Sequence, residues 1–330
     1  MAQGASSSRE ALLDPGAYWK HKIVTTAAKL DVFSFLAGGE RSTAEVAGQY
    51  GGDARAFRIF LDALAGLRLL EKRDGRYRNT RFARRHLVRD AKEYRGDQLV
   101  VADLYWDLWG KLEDTLMTGK SPLTESIFFS DPAAAQRLIL GLHRDALAIA
   151  PALAERLPLA DCKTLLDLGG GAGTYAIAFC QRYPNLRATV FDVPPVTVVT
   201  RSIVSQHGLD DRVSVVEGDF TADPLPGKYD AVFMSNILHG GGPERNRRLF
   251  AKVSGALEQG GWAIVRDVVM EKDLDSPSFG AVFAVNMLLH APDARCYSFE
   301  EIAEWLAGAG FGDIETVEPN SVLTARKLDP

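Results

Sequence analysis

The chain has 330 residues, 46% of them apolar and 25% charged, with a formal net charge of −5. That is enough to bury a substantial core in two domains, and it gives no general electrostatic case for nucleic acid or an anionic membrane surface. The N-terminal residues 1–14 lack the basic start and apolar run of a signal peptide, and no stretch reaches the apolar length of a membrane span, so a cytoplasmic location is expected.

In chain order, the small polar run from Ala2 to Ser8 predicts a flexible tail over residues 1–14. Residues 16–37 carry Trp19, Ile23, Ala27, Leu30 and Phe33 at helical spacing and predict one helix ending before Gly38-Gly39. Ser42-Thr43-Ala44-Glu45 reads as a capped helix start, and Asp53 caps a further helix running to about Leu69. Asp74-Gly75 then marks a hairpin turn, so the order helix, helix, helix, hairpin predicts a winged helix over residues 15–95.

Residues 66–95 hold eleven Lys and Arg side chains against four acids, which in isolation reads as a phosphate-contacting surface. The would-be recognition helix, with Phe57, Ile59, Phe60, Leu61 and Leu64, is too apolar to lie in a groove. Its surplus apolar area fits packing against another domain or subunit. A DNA-binding regulator is therefore the rival from another class, and no nucleic-acid or membrane partner is expected.

Residues 96–157 read as helical. Tyr105, Leu108, Trp109 and Leu112 fall on one face, and Asp131-Pro132 starts a helix continuing to about Leu157. From Lys163 the pattern switches to alternating strands and helices. Strands are predicted near 164–168, 187–191, 212–216, 229–235, 261–269, 312–318 and 321–326, with crossover helices at 174–183, 195–207, 243–258 and 298–309. Cys162, Cys180 and Cys296 have neither C-x-x-C spacing nor a disulfide framework, and the six histidines show no ligand spacing, so reduced thiols and no metal are expected.

The chemistry concentrates where the alternation begins. Leu165-Leu166-Asp167-Leu168 runs into glycines at 169, 170, 171 and 173 and then a helix from Thr174. Gly169, Gly171 and Gly173 permit a sharp turn and close backbone approach to a ligand, and the helix start favours an anion. Asp192, about twenty residues on, suits both ribose hydroxyls; Asp219 can accept from an adenine amino group, and Phe220 offers a ring face to the purine. An adenosine-containing cofactor follows. Gly171, Gly173 and Ala176 also satisfy the dinucleotide pattern, so the turn alone leaves a nicotinamide cofactor open.

Asp167-x-Gly169-x-Gly171-x-Gly173, Glu217-Gly218-Asp219-Phe220 and Met234-Ser235-Asn236-Ile237-Leu238-His239, taken together, resemble the class I S-adenosylmethionine-dependent methyltransferases. More narrowly, the chain resembles the dimeric small-molecule O-methyltransferases that include plant caffeic acid and acetylserotonin enzymes and bacterial polyketide-tailoring enzymes. The resemblance implies S-adenosyl-L-methionine as cofactor and S-adenosyl-L-homocysteine as product. It implies an α/β fold with a Rossmann-like, seven-stranded doubly wound sheet, its last strand antiparallel, over residues 161–330. It also implies a winged-helix dimerisation domain at 15–95, a helical linker and substrate roof at 96–160, a homodimer, and a small, hydroxyl-bearing aromatic acceptor.

By the same resemblance, His239 is the general base and Asp267 the carboxylate that orients it. Ser235, on the fourth strand, stands near the cofactor where the family commonly has a lysine. Gly240-Gly241 replaces the family's Asp-Trp, and Gly240-Gly241-Gly242 is expected to form a flexible loop. Trp109, His143, Asn236, Phe283, Asn286, Met287 and His290 are the expected acceptor-pocket residues, and Arg295 pairs either with an acidic substrate or with Glu300 or Glu301. Transfer to nitrogen or carbon, and a repurposed decarboxylase, hydroxylase or pericyclase of the same fold, are the alternatives within this architecture.

Overall fold

A computed structural model describes Arg9 and residues 12–329, so the run from Ala2 to Ser8 in the expected tail lies outside the described residues. The chain divides into two compact units, Met1–Trp106 and Asp107–Pro330.

In the first unit the helix expected over 16–37 is instead two helices, α1 (Ala17–Lys29) and α2 (Val32–Phe35), parted by Asp31 in the left-handed region at φ 57°. Aspartate tolerates that conformation better than most residues. The break turns Val32 and Phe33 into the core, and Arg89 holds the Asp31 carboxylate at 3.2 Å. β1 (Arg41–Ser42) leads into α3 (Thr43–Tyr50), which opens with the reciprocal capping box of Ser42 and Glu45. Asp53 caps α4 (Ala54–Gly66) through the Ala56 amide at 2.7 Å. β2 (Leu70–Arg73) and β3 (Arg76–Asn79) pair antiparallel across Asp74 and Gly75, both at positive φ as a two-residue hairpin turn requires. α5 (Arg81–His86) and α6 (Gly96–Leu104) complete the unit around Ala27, Phe33, Leu61, Leu64 and Tyr77. On the basic surface, Lys72, Arg76, Arg78, Arg85 and Arg89 are in ion pairs with Asp62, Glu45, Glu71, Glu93 and Asp31. Those positive charges are locally neutralised.

In the second unit, α7 (Trp106–Trp109, at the division) and α8 (Leu112–Thr118) are separate short helices. The apolar face expected from Tyr105 to Leu112 therefore does not form: Leu108 is buried while Trp109 is 38% exposed. After α9 (Ile127–Ser130) comes α10 (Pro132–Leu147), shorter than the expected helix to Leu157. α11 (Ala150–Ala154) restarts with Pro151, whose ring excludes a helical carbonyl at Leu147, four residues back.

β4 (Thr164–Leu168), β5 (Arg187–Asp192), β6 (Val213–Glu217), β7 (Tyr229–Ser235) and β8 (Leu257–Arg266) are parallel. The crossovers are α12 (Thr174–Arg182), α13 (Pro194–Gln206) and α14 (Pro243–Ala256). β9 (Val269–Met270) pairs with β10 (Tyr297–Ser298) in a separate ribbon spanning α15 (Ser278–His290), and α16 (Phe299–Gly308) precedes β11 (Phe311–Glu318) and β12 (Val322–Lys327). The seven-stranded sheet has the order β11-β12-β8-β7-β4-β5-β6, with β12 antiparallel to both neighbours. Winding reverses at β4, so a crevice opens beyond the C-terminal ends of β4, β5 and β7. Apolar side chains cover both faces, among them Leu165, Phe179 and Val190 on one and Leu166, Val232 and Phe250 on the other. The fifth strand ends at Arg266, not near 269, and the Asp267 amide beyond it still donates towards the β12 side, to Ser321 O at 2.9 Å. Among the described residues, no helix is long and apolar enough to cross a membrane.

Asp103 on α6 is buried and ties down α1, accepting from Lys22 Nζ at 2.5 Å, Lys29 Nζ at 3.1 Å and Thr25 Oγ1 at 3.2 Å. Both ammonium groups reach solvent, so they can rehydrate when the carboxylate is removed. Asp103→Ala should destabilise the first unit by about 2 kcal/mol, read as a lower urea midpoint with an unchanged slope.

Candidate active site

The crevice is built from the glycine turn outward. Gly169, Gly171 and Gly173 have φ of 62°, 58° and 73°, a region costly for other residues. A Cβ at Gly169 would also come within 2.4 Å of Ile237 Cδ1. The turn is fixed from outside: Thr200 Oγ1 donates to Gly171 O at 2.6 Å, and the Gly171 amide donates to Asp192 Oδ2 at 2.8 Å.

The carboxylates around the turn differ in how fully they are satisfied. Asp192 also accepts from the Val193 amide at 2.8 Å, yet burial pushes its carboxyl up to about 6 against those two bonds. Asp167 is fully buried and accepts only one long bond, from Ala176 N at 3.3 Å to Oδ2. Its Oδ1 is buried without a partner, and burial, with the nearby Asp192 charge adding, pushes the carboxyl up to about 7. Asp219 Oδ1 accepts from Thr221 N at 2.7 Å and Thr221 Oγ1 at 2.6 Å, and the ring of neighbouring Phe220 is covered by the Arg245 guanidinium at 5.3 Å.

At the end of β7 the chain enters a 3₁₀ turn, Leu238–Gly240, carrying His239. His239 Nδ1 lies 2.6 Å from Asp267 Oδ1. Asp267 is buried and also accepts from Leu238 N at 2.9 Å and Val268 N at 2.7 Å. Burial raises its carboxyl, but the His239 charge, the bond to it and the two amides outweigh burial and hold it below the usual carboxylate range. Phe283 meets the His239 ring edge-to-face at 5.0 Å and stacks on Phe279 at 5.7 Å. One turn on, Asn286 Oδ1 accepts from Trp109 Nε1 at 3.2 Å and Asn286 O contacts His290 Nδ1 at 2.7 Å, with Met287 buried beside them. Burial lowers the His290 imidazole, and His239 adds to that, so His290 favours its neutral form.

The structure thus gathers His239, Asp267, Phe283, Asn286, Met287, His290 and Trp109 on one side of the crevice. His143 stands with the glycine turn instead, Nδ1 at 2.7 Å from Thr174 Oγ1. Ser235 Oγ and Asn236 Oδ1 each accept from Arg266 Nη1 at 3.3 Å, and Asn236 is left-handed at φ 58°. Arg295 pairs with Glu301 at 2.5 Å. The expected flexibility of Gly240–Gly242 is not what the geometry shows. Gly241 O accepts from Tyr297 Oη at 2.5 Å and Asn246 Nδ2 at 3.3 Å, and the space beside Gly241 is filled by Arg245. Arg245, Asn246, Tyr297 and Arg266 are absent from the sequence reading; the charge closing the apolar strand Ile264-Val265-Arg266 was the available signal.

With that geometry established, the O-methyltransferase domain family matches residues 119–312 and the O-methyltransferase dimerisation domain family matches residues 15–89. The chain belongs to the O-methyltransferase family. It is 32% identical over 304 residues to the 3-hydroxy-5-methyl-1-naphthoate 3-O-methyltransferase of Streptomyces sahachiroi, covering 91% of this chain and 88% of that one. It is also 32% identical to the tetracenomycin polyketide synthesis 8-O-methyl transferase of Streptomyces glaucescens, covering 94% of each. An O-methyltransferase family structure from Burkholderia thailandensis superposes with TM-score 0.86 at 25% identity, covering 98% of this chain and 99% of that one. The family expected from the motifs, with its seven-stranded fold, is the one found. The O-methyltransferase is an S-adenosylmethionine-dependent enzyme, which resolves the choice the glycine turn left open.

The orphaned Asp167 Oδ1 fits an ammonium group, as the cofactor's amino acid carries. A carboxyl raised to about 7 favours folding fully below its ordinary value and loses that contribution as pH rises through 7. In the ligand-free O-methyltransferase, Asp167→Asn should therefore gain stability relative to the parent between about pH 5 and about pH 8, by on the order of 2 kcal/mol, in paired thermal melts. The same variant should bind S-adenosylhomocysteine more weakly by calorimetry.

Proposed function

We propose that this O-methyltransferase acts on a phenolic hydroxyl of a small aromatic metabolite, with His239 as general base and Asp267 as the residue that orients it. The observation that carries this reading is the 2.6 Å contact between His239 Nδ1 and a buried Asp267 that already holds two amide donors. An ionised carboxylate there accepts the Nδ1 proton and leaves the Nε2 lone pair for the acceptor hydroxyl. It also stabilises the imidazolium that results.

When bound, S-adenosylmethionine supplies an electrophilic methyl group on a sulfonium and remains as S-adenosylhomocysteine. Gly169, Gly171 and Gly173 let the backbone approach it, Asp167 takes the ammonium, Asp192 the ribose hydroxyls, and Asp219 and Phe220 the adenine, with Ser235 at the methyl-bearing side. Phe283 and Met287 form an apolar wall for an aromatic acceptor, and Asn236, Asn286, His290 and Trp109 supply polar groups around it. In this reading His143 belongs to the cofactor's side through Thr174. Alignment of the acceptor oxygen in line with the methyl group contributes several kcal/mol on its own.

A cytoplasmic homodimer completes the proposal. The dimerisation-domain match over 15–89, the exposed Trp19, Ile59 and Phe82, and three free thiols support it.

His239→Ala should lower methyl transfer to hydroxynaphthoate acceptors about a hundredfold or more at saturating cofactor while leaving S-adenosylhomocysteine affinity unchanged. Asp267→Asn, which keeps the shape but presents an amide to Nδ1, should lower turnover about tenfold or more. Unchanged turnover in His239→Ala would remove the base from the mechanism and leave alignment alone.

A further inference from the structure

Arg266 closes β8 directly opposite Ser235 in the strand register, one residue before Asp267. Asp267 turns to His239, and Arg266 lies over the ring of Tyr175 at 5.6 Å, on the helix that follows the glycine turn. The half-buried guanidinium uses Nη1 for two long bonds, to Ser235 Oγ and Asn236 Oδ1, both neutral acceptors. Among the described residues, no carboxylate lies within ion-pair distance of it, and Nε and Nη2 have no protein partner. Arg201 and Arg295 in the same unit are paired with Glu217 and Glu301. A guanidinium set over an aromatic ring and bonded only to two neutral side chains, with its other edges unspent, has donors left to bind a carboxylate through two parallel bonds.

Tyr175 gives the position of that edge relative to the glycine turn. Its phenol is raised first by burial, with Arg266 opposing and Asp167 adding to the rise, so it lies within electrostatic reach of both. Asp167 offers an unpartnered oxygen for a cation, and Arg266 offers unpartnered donors for an anion. The two together match a zwitterionic amino acid.

We propose that Arg266 recognises a ligand carboxylate where the methyl-donor and acceptor sides of the crevice meet. This rests on reading the crevice as a methyl-transfer site. Two ligands can bring that group: the cofactor, through its α-carboxylate, and an acid-bearing acceptor. The tie to Tyr175 and Asp167 favours the cofactor.

The test compares ligands that differ only in the acidic part, on the parent, Arg266→Met and Arg266→Lys. For the cofactor, the pair is S-adenosylhomocysteine and 5′-methylthioadenosine, which lacks the amino-acid end. For the acceptor, with S-adenosylhomocysteine present, it is 3-hydroxy-1-naphthoate and 2-naphthol. Calorimetry should show Arg266→Met weakening S-adenosylhomocysteine about tenfold or more, with 5′-methylthioadenosine unchanged and Arg266→Lys recovering part of the loss. Unchanged 5′-methylthioadenosine binding also reports an intact fold. A loss confined to 3-hydroxy-1-naphthoate assigns the same recognition to the acceptor. Equal losses within each pair, or none in either, overturn the proposal while leaving the methyl-transfer reading in place. A parent enzyme that fails to bind S-adenosylhomocysteine overturns that reading and Arg266 with it.

Discussion

Three carboxylates at the C-terminal edge of one sheet, Asp167 and Asp267 buried and Asp192 half-buried, set the terms for everything around them. Burial penalises each, so the donors each one has collected decide its state. Asp267, with two amides and His239, is held below the usual range; Asp192, with two amides, is raised to about 6; Asp167, with one long bond, is raised to about 7. That gradient divides the labour of the crevice. The protein completes the partner set of Asp267, which is bonded to His239, and it leaves Asp167, just before the glycine turn, short of donors. A cationic or hydroxylic ligand therefore gains most where the protein has provided least.

The turn after β7 shows how a departure from the family pattern is absorbed. Gly240-Gly241, in place of Asp-Trp, removes the large side chain beside the crevice, yet a Cβ at Gly241 would meet Arg245 Cδ at 2.1 Å because the arginine already lies there. The same guanidinium donates to Ile237 O at 3.2 Å and covers Phe220. Tyr297 and Asn246 take the Gly241 carbonyl. Gly241 acts as clearance for Arg245, while the space beside Gly240 is open. The loop carrying His239 is linked to the Phe220 ring by one side chain, so the corner at His239 and that ring are mechanically joined.

Much of the second unit was legible because its signals are local. Apolar strands of five to seven residues bounded by turns, such as Thr164–Leu168 and Tyr229–Ser235, have few other readings. The first-unit caps at Ser42 and Asp53 were equally plain. The misread elements depend on backbone choices that periodicity does not carry: a left-handed Asp31 inside an unbroken helical pattern, and a turn at Gly110-Lys111 that parts Leu108 and Trp109 from Leu112. In the site, Asp167, Asp192, His239 and Asp267 announce themselves by position in a motif. Arg245 and Arg266 do not, since a charge at a strand end or in a first helical turn usually marks a solvated surface. Only the register that sets Arg266 beside Ser235, and the fold that brings Tyr175 against it, give it a site to act on.

The two sides of the crevice are built from different materials, and this bears on how such an enzyme changes acceptor. On the side proposed for the methyl donor the groups lining the crevice are largely backbone, held by glycines at positive φ and by carboxylates bonded to amides, so a substitution there alters the turn itself. On the side proposed for the acceptor the groups are side chains of α15 and of Trp109, which belong to neither the sheet nor the turn. The Streptomyces relatives, each 32% identical to this chain, are named for a naphthoate and for a tetracenomycin polyketide, two different acceptors. Under the proposed assignment, a donor half fixed by backbone geometry faces an acceptor half made of exchangeable side chains, which permits that divergence without disturbing the fold. A carboxylate receptor at Arg266, set where the halves meet, would be the element on which a change in either half is felt by the other.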